Sequence, residues 1–133
     1  MEAINKVNDY LTKSGVFFLT TVDGDKPKCR PFGFHMVHDD KIYIGLGTFK
    51  DVYRQLTENQ NIEICAMQGN EFLRLYGTAV QDDDKSLSEQ ALDSMPDIKK
   101  MYEENGWEMA MFYLKNVTAE FRTMVGIKES VTF

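Results

Sequence analysis

Residues 42–56 read IYIGLGTFKDVYRQL, and this stretch joins two kinds of secondary structure. It begins with β-branched and aromatic residues, which are typical of a strand. It ends with a segment that is typical of a short helix. Two glycines, Thr48 and Lys50 occupy the junction between the two halves. The stretch therefore predicts a strand that runs directly into a helix, with a hydroxyl and a cation at the turn.

The rest of the chain predicts five more strands, most of them joined by short turns. The Asp23-Gly24 pair is a hairpin signal between the first two. These strands are predicted at residues 16–22, 28–37, 61–68, 72–81 and 108–126. Antiparallel strands with short turns tend to close into a barrel, because closure leaves no strand edge unpaired.

Four helices are predicted around these strands. The first has apolar residues three and four apart and ends at Gly15. The others are predicted at residues 49–59, 82–95 and 96–106. No repeat, low-complexity segment or linker is visible, so residues 1–133 are predicted to form a single domain. The predicted fold class is α+β, a small antiparallel barrel with peripheral helices.

Composition excludes several classes of function. A formal net charge of -6 argues against general nucleic-acid binding, which requires a basic face. No apolar run approaches the roughly 20 residues of a membrane helix. The N-terminal residues lack the features of a secretory signal, so the expected compartment is the cytoplasm. Two cysteines and two histidines argue against a zinc site.

The strand–helix junction is the first candidate binding site. A helix N-terminus presents free N–H groups and the positive end of the helix dipole. A hydroxyl at Thr48 and a cation at Lys50 would complete a phosphate site. The alternative is that Thr48 caps the helix and Lys50 is a solvated residue of the first turn.

The second candidate is Arg30-Pro31-Phe32-Gly33-Phe34. Strict alternation puts Arg30 on an apolar strand face, where a guanidinium needs a partner. Pro31 lacks an amide hydrogen and predicts either an edge strand or a bulge. Gly33 allows close approach of a ligand or of another chain. Arg30 is therefore interpreted either as a phosphate ligand or as a side chain that a bulge turns towards solvent.

These two segments occur in an order that resembles the pyridoxamine 5′-phosphate oxidase-like family of FMN-binding split barrels. The resemblance is strongest to its small bacterial branch of general stress and nitroimidazole-resistance proteins. It is carried by GVFFLTTVDGDKPKCRPFGF, by KIYIGLGTFKDVYRQLTENQNIEIC and by RLYGTAV. It implies a six-stranded antiparallel split β-barrel with peripheral helices, and a homodimer with FMN at the interface.

The resemblance also implies roles for individual residues. Arg30 would meet the FMN phosphate, and the backbone of Pro31, Phe32, Gly33 and Phe34 would line the isoalloxazine ring. The hydroxyl and the lysine of the phosphate site, with the backbone between them, would be Thr48, Phe49 and Lys50. Gly77 and Ala79 match a mainly structural strand.

The expected function is an FMN-binding oxidoreductase that transfers electrons or hydride to or from an unidentified small molecule. No catalytic acid or base is named, because the sequence shows no paired carboxylates and no nucleophile with its base. Pyridoxamine phosphate is doubtful as a substrate, because no pattern specific to the vitamin-forming oxidases is present. One alternative is a non-enzymatic flavin-binding or electron-carrier protein. Another is a haem or deazaflavin binder on the same fold.

Overall fold

The computed structural model describes residues 2–133 as four helices and eight strands. The helices are α1 (Glu2–Ser14), α2 (Asp51–Glu58), α3 (Lys85–Asp93) and α4 (Pro96–Asn105). The strands are β1 (Phe17–Asp23), β2 (Lys26–Phe32), β3 (Met36–His38), β4 (Lys41–Gly47), β5 (Asn61–Gln68), β6 (Glu71–Asp82), β7 (Met109–Thr123) and β8 (Gly126–Thr132). The predicted α+β class is confirmed. No helix within this range has the length and apolar composition needed to cross a membrane.

All the strands belong to one antiparallel sheet. Its order is β2-β1-β5-β6-β7-β4-β3, and β8 also pairs with β7. The two ends of this order, β2 and β3, do not pair within the described part of the chain, so the sheet is open. The edge position predicted for the strand that carries Pro31 is confirmed, because β2 is the terminal strand.

The prediction of six strands was wrong, for two reasons. The segment predicted as one strand at residues 28–37 divides into β2 and β3, because the chain leaves β1 after Phe32 and joins β4 at Met36. The last strand was predicted to run to residue 126, but β7 ends at Thr123 and turns back as β8. Most of β8 is exposed, so it lacks the apolar alternation from which a strand is recognised.

One hydrophobic core lies against the inner face of the sheet. Strand β1 contributes Phe17 and Leu19, and helix α1 packs Ile4, Val7 and Leu11 onto the same cluster. Strands β4, β5, β6 and β7 contribute fully buried side chains such as Ile44, Ile64, Leu75 and Phe112. The core holds α2 through Val52 and Leu56. This packing fixes α2 beside β1, and the candidate site lies at the start of that helix.

Strand β4 is buried on both faces. Ile44 on one face belongs to the main core, while Tyr43 on the other packs with Met111 and α3 in a second, smaller cluster. This burial explains the continuous apolar run in the sequence, which lacks the alternation of a half-exposed strand. The end of β4 is therefore anchored firmly where it leads to α2.

Candidate functional site

The predicted junction exists, but the helix begins later than expected. Lys50 is the N-cap residue of α2, with extended backbone angles and no side-chain capping bond. The N–H of Tyr53 donates to the Lys50 carbonyl oxygen at 3.1 Å. The two preceding N–H groups, of Asp51 and Val52, have no acceptor within the helix. Thr48 is therefore not the N-cap, so that part of the alternative interpretation was wrong, while Lys50 is exposed as the alternative expected.

Arg30 is held from three sides by uncharged acceptors. Its Nη1 donates to the Leu19 carbonyl oxygen at 3.1 Å and to Thr21 Oγ1 at 2.8 Å. Its Nη2 donates to Gln55 Oε1 at 2.8 Å. The pairing of β2 with β1 is continuous through Arg30. No bulge turns the side chain towards solvent, so that interpretation of Arg30 was wrong.

These bonds leave one edge of the guanidinium available. They use both hydrogens of Nη1 and one of Nη2. The Nε–H and the second Nη2–H have no partner among residues 2–133. Partial burial lowers the pKa of Arg30 from its usual value, yet arginine stays charged at any physiological pH. Two adjacent donors on a charged planar group match two oxygens of a phosphate.

Arg30 and Lys50 line the same cleft, which we call the charged cleft. Its volume is about 450 Å³, and Lys28 provides a third cation. Two carboxylates also line it, of which Asp23 is bridged by Arg54 with two contacts of 3.2 Å. The other is Asp51. The cations therefore outnumber the carboxylates, and the local charge is positive on an acidic protein.

The ammonium group of Lys50 is free to bind an anion. Within the described range it forms no ion pair and no hydrogen bond. Its one aromatic contact is with Phe49, whose ring centroid lies 5.9 Å from Nζ. The charge of this lysine is thus not paired with a carboxylate among residues 2–133.

A second cleft of about 250 Å³ adjoins the first, and we call it the apolar cleft. The two clefts share Pro31, Phe32 and Lys50. The walls of the apolar cleft also include Gly33, Phe34, Gly45, Leu46, Met95, Ile98, Tyr102 and Met109. All the predicted residues from Arg30 to Phe34 therefore line one of two joined clefts. The backbone of end strand β2 passes along both.

Two predicted site residues lie elsewhere. Thr48 lines a different cleft, whose walls include the carboxylates of Asp82 and Glu108. Its N–H donates to the Glu108 carbonyl oxygen at 3.0 Å. The ring of Phe49 stacks on Trp107 with centroids 4.2 Å apart. Neither residue lines the charged cleft, although the Phe49 ring contacts Lys50 from outside it. The contacts of Thr48 and Phe49 to a ligand stay predictions.

Sequence reasoning missed Thr21 and Gln55, which hold Arg30. A signal for Thr21 was available, because it continues the inward alternation of Phe17 and Leu19 in β1. A polar residue on an apolar face requires a partner. No comparable signal identified Gln55, because its partners come from strands distant in sequence.

The residues present fit a phosphorylated flat ligand such as FMN. The charged cleft offers the free edge of Arg30, the unpaired Lys50 and the first N–H groups of α2. The apolar cleft offers a hydrophobic wall beside an unpaired strand edge. Among the described residues, no group of His, Cys, Asp and Glu is arranged to hold a metal ion. The arrangement favours anion recognition combined with the binding of a planar ring.

The NimC/NimA family protein from Clostridium acetobutylicum is similar to this chain, with 28% identity and a TM-score of 0.87 over 98% of this chain and 94% of that one. General Stress Protein 26 from Bacillus anthracis has 14% identity and a TM-score of 0.72, with 100% of both chains covered. A FAD-binding protein from Mesorhizobium loti has 13% identity and a TM-score of 0.61, covering 86% of this chain and 91% of that one.

Sequence comparison gives the family. No curated protein sequence matches the chain at a significant level. The family model for pyridoxamine 5′-phosphate oxidase matches residues 4–115, which is most of the chain. The protein therefore belongs to the pyridoxamine 5′-phosphate oxidase family.

Proposed function

We propose that this protein is an FMN-binding oxidoreductase that transfers electrons or hydride to or from a small molecule. The observation that carries the proposal is the meeting of Arg30 and Lys50 in one cleft that opens into an apolar cleft. The charged cleft suits a phosphate, and the apolar cleft suits an isoalloxazine ring. Family membership supports a flavin, as does the similarity to a FAD-binding protein.

The proposed roles follow from the contacts. The free edge of Arg30 and the ammonium of Lys50 would bind the phosphate, with the first N–H groups of α2 beside them. The segment from Pro31 to Phe34 would lie along the ring. FMN supplies the redox chemistry when bound, and the protein supplies binding, orientation and electrostatics. Thr48 and the Phe49 N–H remain proposed contacts with weaker support, because Thr48 lines a different cleft and Phe49 does not line the charged cleft.

We further propose that the protein is a homodimer and that its open sheet is a split barrel. The outer face of β1, β5 and β6 exposes Phe18 by 47%, Met67 by 56% and Tyr76 by 41%. The pairing of these strands puts the three side chains on one face. A second chain that covers this face would also cover the nearby end strand β2. It would bury ring surface that one small domain leaves open.

An absorbance spectrum of the purified protein with added FMN tests the cofactor. We expect flavin bands at about 370 and 450 nm that remain with the protein after gel filtration. A Soret band, or failure to retain FMN at micromolar concentration, would contradict the proposal. His35 is disfavoured as a haem ligand, because both of its ring nitrogens already contact Asn8 and Thr12 of α1.

Turnover distinguishes the enzyme from a flavin carrier. We expect the FMN-loaded protein to oxidise a reduced nicotinamide with a nitroaromatic or quinone acceptor through many cycles. A protein that retains FMN but completes no more than one turnover would be a carrier. The matched control is free FMN at the same concentration.

A further inference from the structure

Two polar side chains are buried among residues 2–133, and both contact the same arginine. Thr21 is 0% exposed and Gln55 is 3% exposed. Each accepts a hydrogen bond of 2.8 Å from Arg30. The three residues come from three elements, β1, α2 and β2. Since buried polar groups are costly unless satisfied, their convergence on one guanidinium is a specific feature of this chain.

The three side chains form a closed ring of hydrogen bonds. Thr21 Oγ1 donates to Gln55 Oε1 and accepts from Arg30 Nη1, while Gln55 Oε1 also accepts from Nη2. The two acceptors are adjacent, so they engage the end of the guanidinium that carries both Nη atoms. This fixes the plane of the group. It also directs the free edge, which carries Nε, away from the ring of bonds.

The acceptors are uncharged, and this affects the charge of Arg30. A carboxylate in either position would orient the guanidinium but would also neutralise it. A hydroxyl and an amide orient it without forming an ion pair, so its positive charge remains available to an anion. Gln55 also lies on the helix whose N-cap residue is Lys50. The ring of bonds therefore ties the element that carries Lys50 to the strand that carries Arg30.

We propose that Thr21 and Gln55 are positioning residues that set Arg30 for a phosphate dianion and thereby favour FMN over riboflavin. This inference rests on the proposed function. It assigns neither residue a direct contact with the phosphate, although Gln55 also lines the charged cleft. They affect binding through Arg30. Changing either residue should therefore weaken the binding of FMN and leave the binding of riboflavin nearly unchanged.

The test is the ratio of the dissociation constants of riboflavin and FMN, followed through the fluorescence of Trp107, the single tryptophan. Thr21→Val removes the hydroxyl at nearly constant shape. We expect FMN affinity to fall by about 3- to 10-fold, which corresponds to the loss of one hydrogen bond. Riboflavin affinity should stay within about 2-fold of the wild-type value. Thr21→Ser keeps the hydroxyl and should restore the ratio.

Gln55→Glu tests the role of charge. The new carboxylate would pair with Arg30, so FMN affinity should fall by about 10-fold or more and riboflavin affinity should change little. Gln60→Glu makes the same change of net charge at an exposed position and serves as the control. In an Arg30→Ala background, Thr21→Val should have no further effect on the ratio, because the two changes would act through one contact.

The outcomes separate the positioning role from the proposed function. If the wild type shows no preference for FMN over riboflavin, both proposals are overturned. If it prefers FMN and Thr21→Val lowers only the melting temperature, or weakens both ligands equally, the positioning role alone is overturned. An additive effect of Thr21→Val on the ratio in the Arg30→Ala background would also overturn it.

Discussion

At the scale of single residues, Arg30 and Lys50 of the charged cleft differ in how they are held. Arg30 is fixed by three neutral acceptors and is partly buried. Lys50 is exposed and has no polar partner in residues 2–133. Removing Lys50 should therefore affect a bound anion alone, whereas removing Arg30 should also affect folding.

Lys50→Ala should weaken FMN binding by roughly 10- to 150-fold, because a charge-assisted contact contributes about 1.5–3 kcal/mol. Riboflavin lacks the phosphate, so its affinity should hardly change. Equilibrium titration with both ligands measures this. Lys100→Ala, which removes an exposed lysine from α4, is the matched control. Equal losses for both ligands would mean that Lys50 supports the fold or an interface, and no loss would place the phosphate elsewhere.

Arg30→Ala should produce a similar loss of FMN affinity and a lower stability. Its hydrogen bonds to Thr21 and Gln55 disappear, and these two buried groups keep only each other. We expect the free energy of unfolding to fall by about 1–3 kcal/mol. Urea denaturation of the ligand-free protein measures the change, with Lys50→Ala as the comparison. An Arg30→Ala protein as stable as wild type would show that the buried contacts contribute little.

At the scale of elements, the pairing of β6 with β7 contains an irregularity that depends on one glycine. The register shifts between Tyr76 and Thr78, and Asn116 opposite has a φ of 55°. A Cβ on Gly77 would lie 2.8 Å from the Lys115 carbonyl oxygen and 2.9 Å from that of Asn116. These are backbone atoms that cannot rotate away. The structural role implied for Gly77 thus has a steric cause.

Gly77→Ala should destabilise the protein by about 1–3 kcal/mol, because the added methyl group must displace the backbone of β7. Gly126→Ala is the control, since a Cβ there meets nothing within 4 Å and its φ is not positive. Thermal unfolding of the two variants measures the difference. Equal melting temperatures would contradict the proposed steric conflict.

Stability should also depend on pH through the segment that joins β2 and β3. Burial lowers the pKa of His35 below its usual 6.5. The unfolded chain therefore binds the proton more readily, and stability falls as the pH drops below about 6.5. Melting temperatures from pH 8 to pH 5 should decrease more steeply for wild type than for His35→Gln. Parallel curves for the two proteins would exclude this contribution.

The elements that sequence predicted well are those whose inner faces are apolar at regular spacing. Helix α1 and strand β5 are examples, because burial alone determines their pattern. Strand β8 was missed because it is mostly exposed and is held by pairing with β7. An exposed strand has no apolar pattern from which that pairing could be predicted. In the site, short-range motifs led to Arg30 and Lys50. Gln55 could not be predicted, because its role arises from contacts between distant segments.

At the scale of the whole molecule, a chain of 133 residues offers little surface to cover the proposed flavin ring. Such a chain buries only about two-thirds of its unfolded surface. The exposed Phe18, Met67 and Tyr76 lie on one outer face of the sheet. We propose that a second copy of the chain covers both the ring and this exposed face.

Sedimentation equilibrium should therefore give a mass of twice 15.3 kDa, and FMN should tighten the association. Phe18→Glu introduces a charge on the outer face and should shift the protein towards monomer, with weaker FMN binding. A monomeric protein that retains full FMN affinity would contradict the shared site. The wild type at matched concentration is the control.

The charged cleft as the phosphate site is tested most directly by a crystal structure of the protein grown with FMN. We predict that the phosphate lies within hydrogen-bonding distance of the Arg30 Nε edge and of Lys50 Nζ, with the ring beside residues 31–34. A phosphate bound in the cleft of Thr48 and Asp82, or no FMN density at saturating concentration, would contradict the central claim.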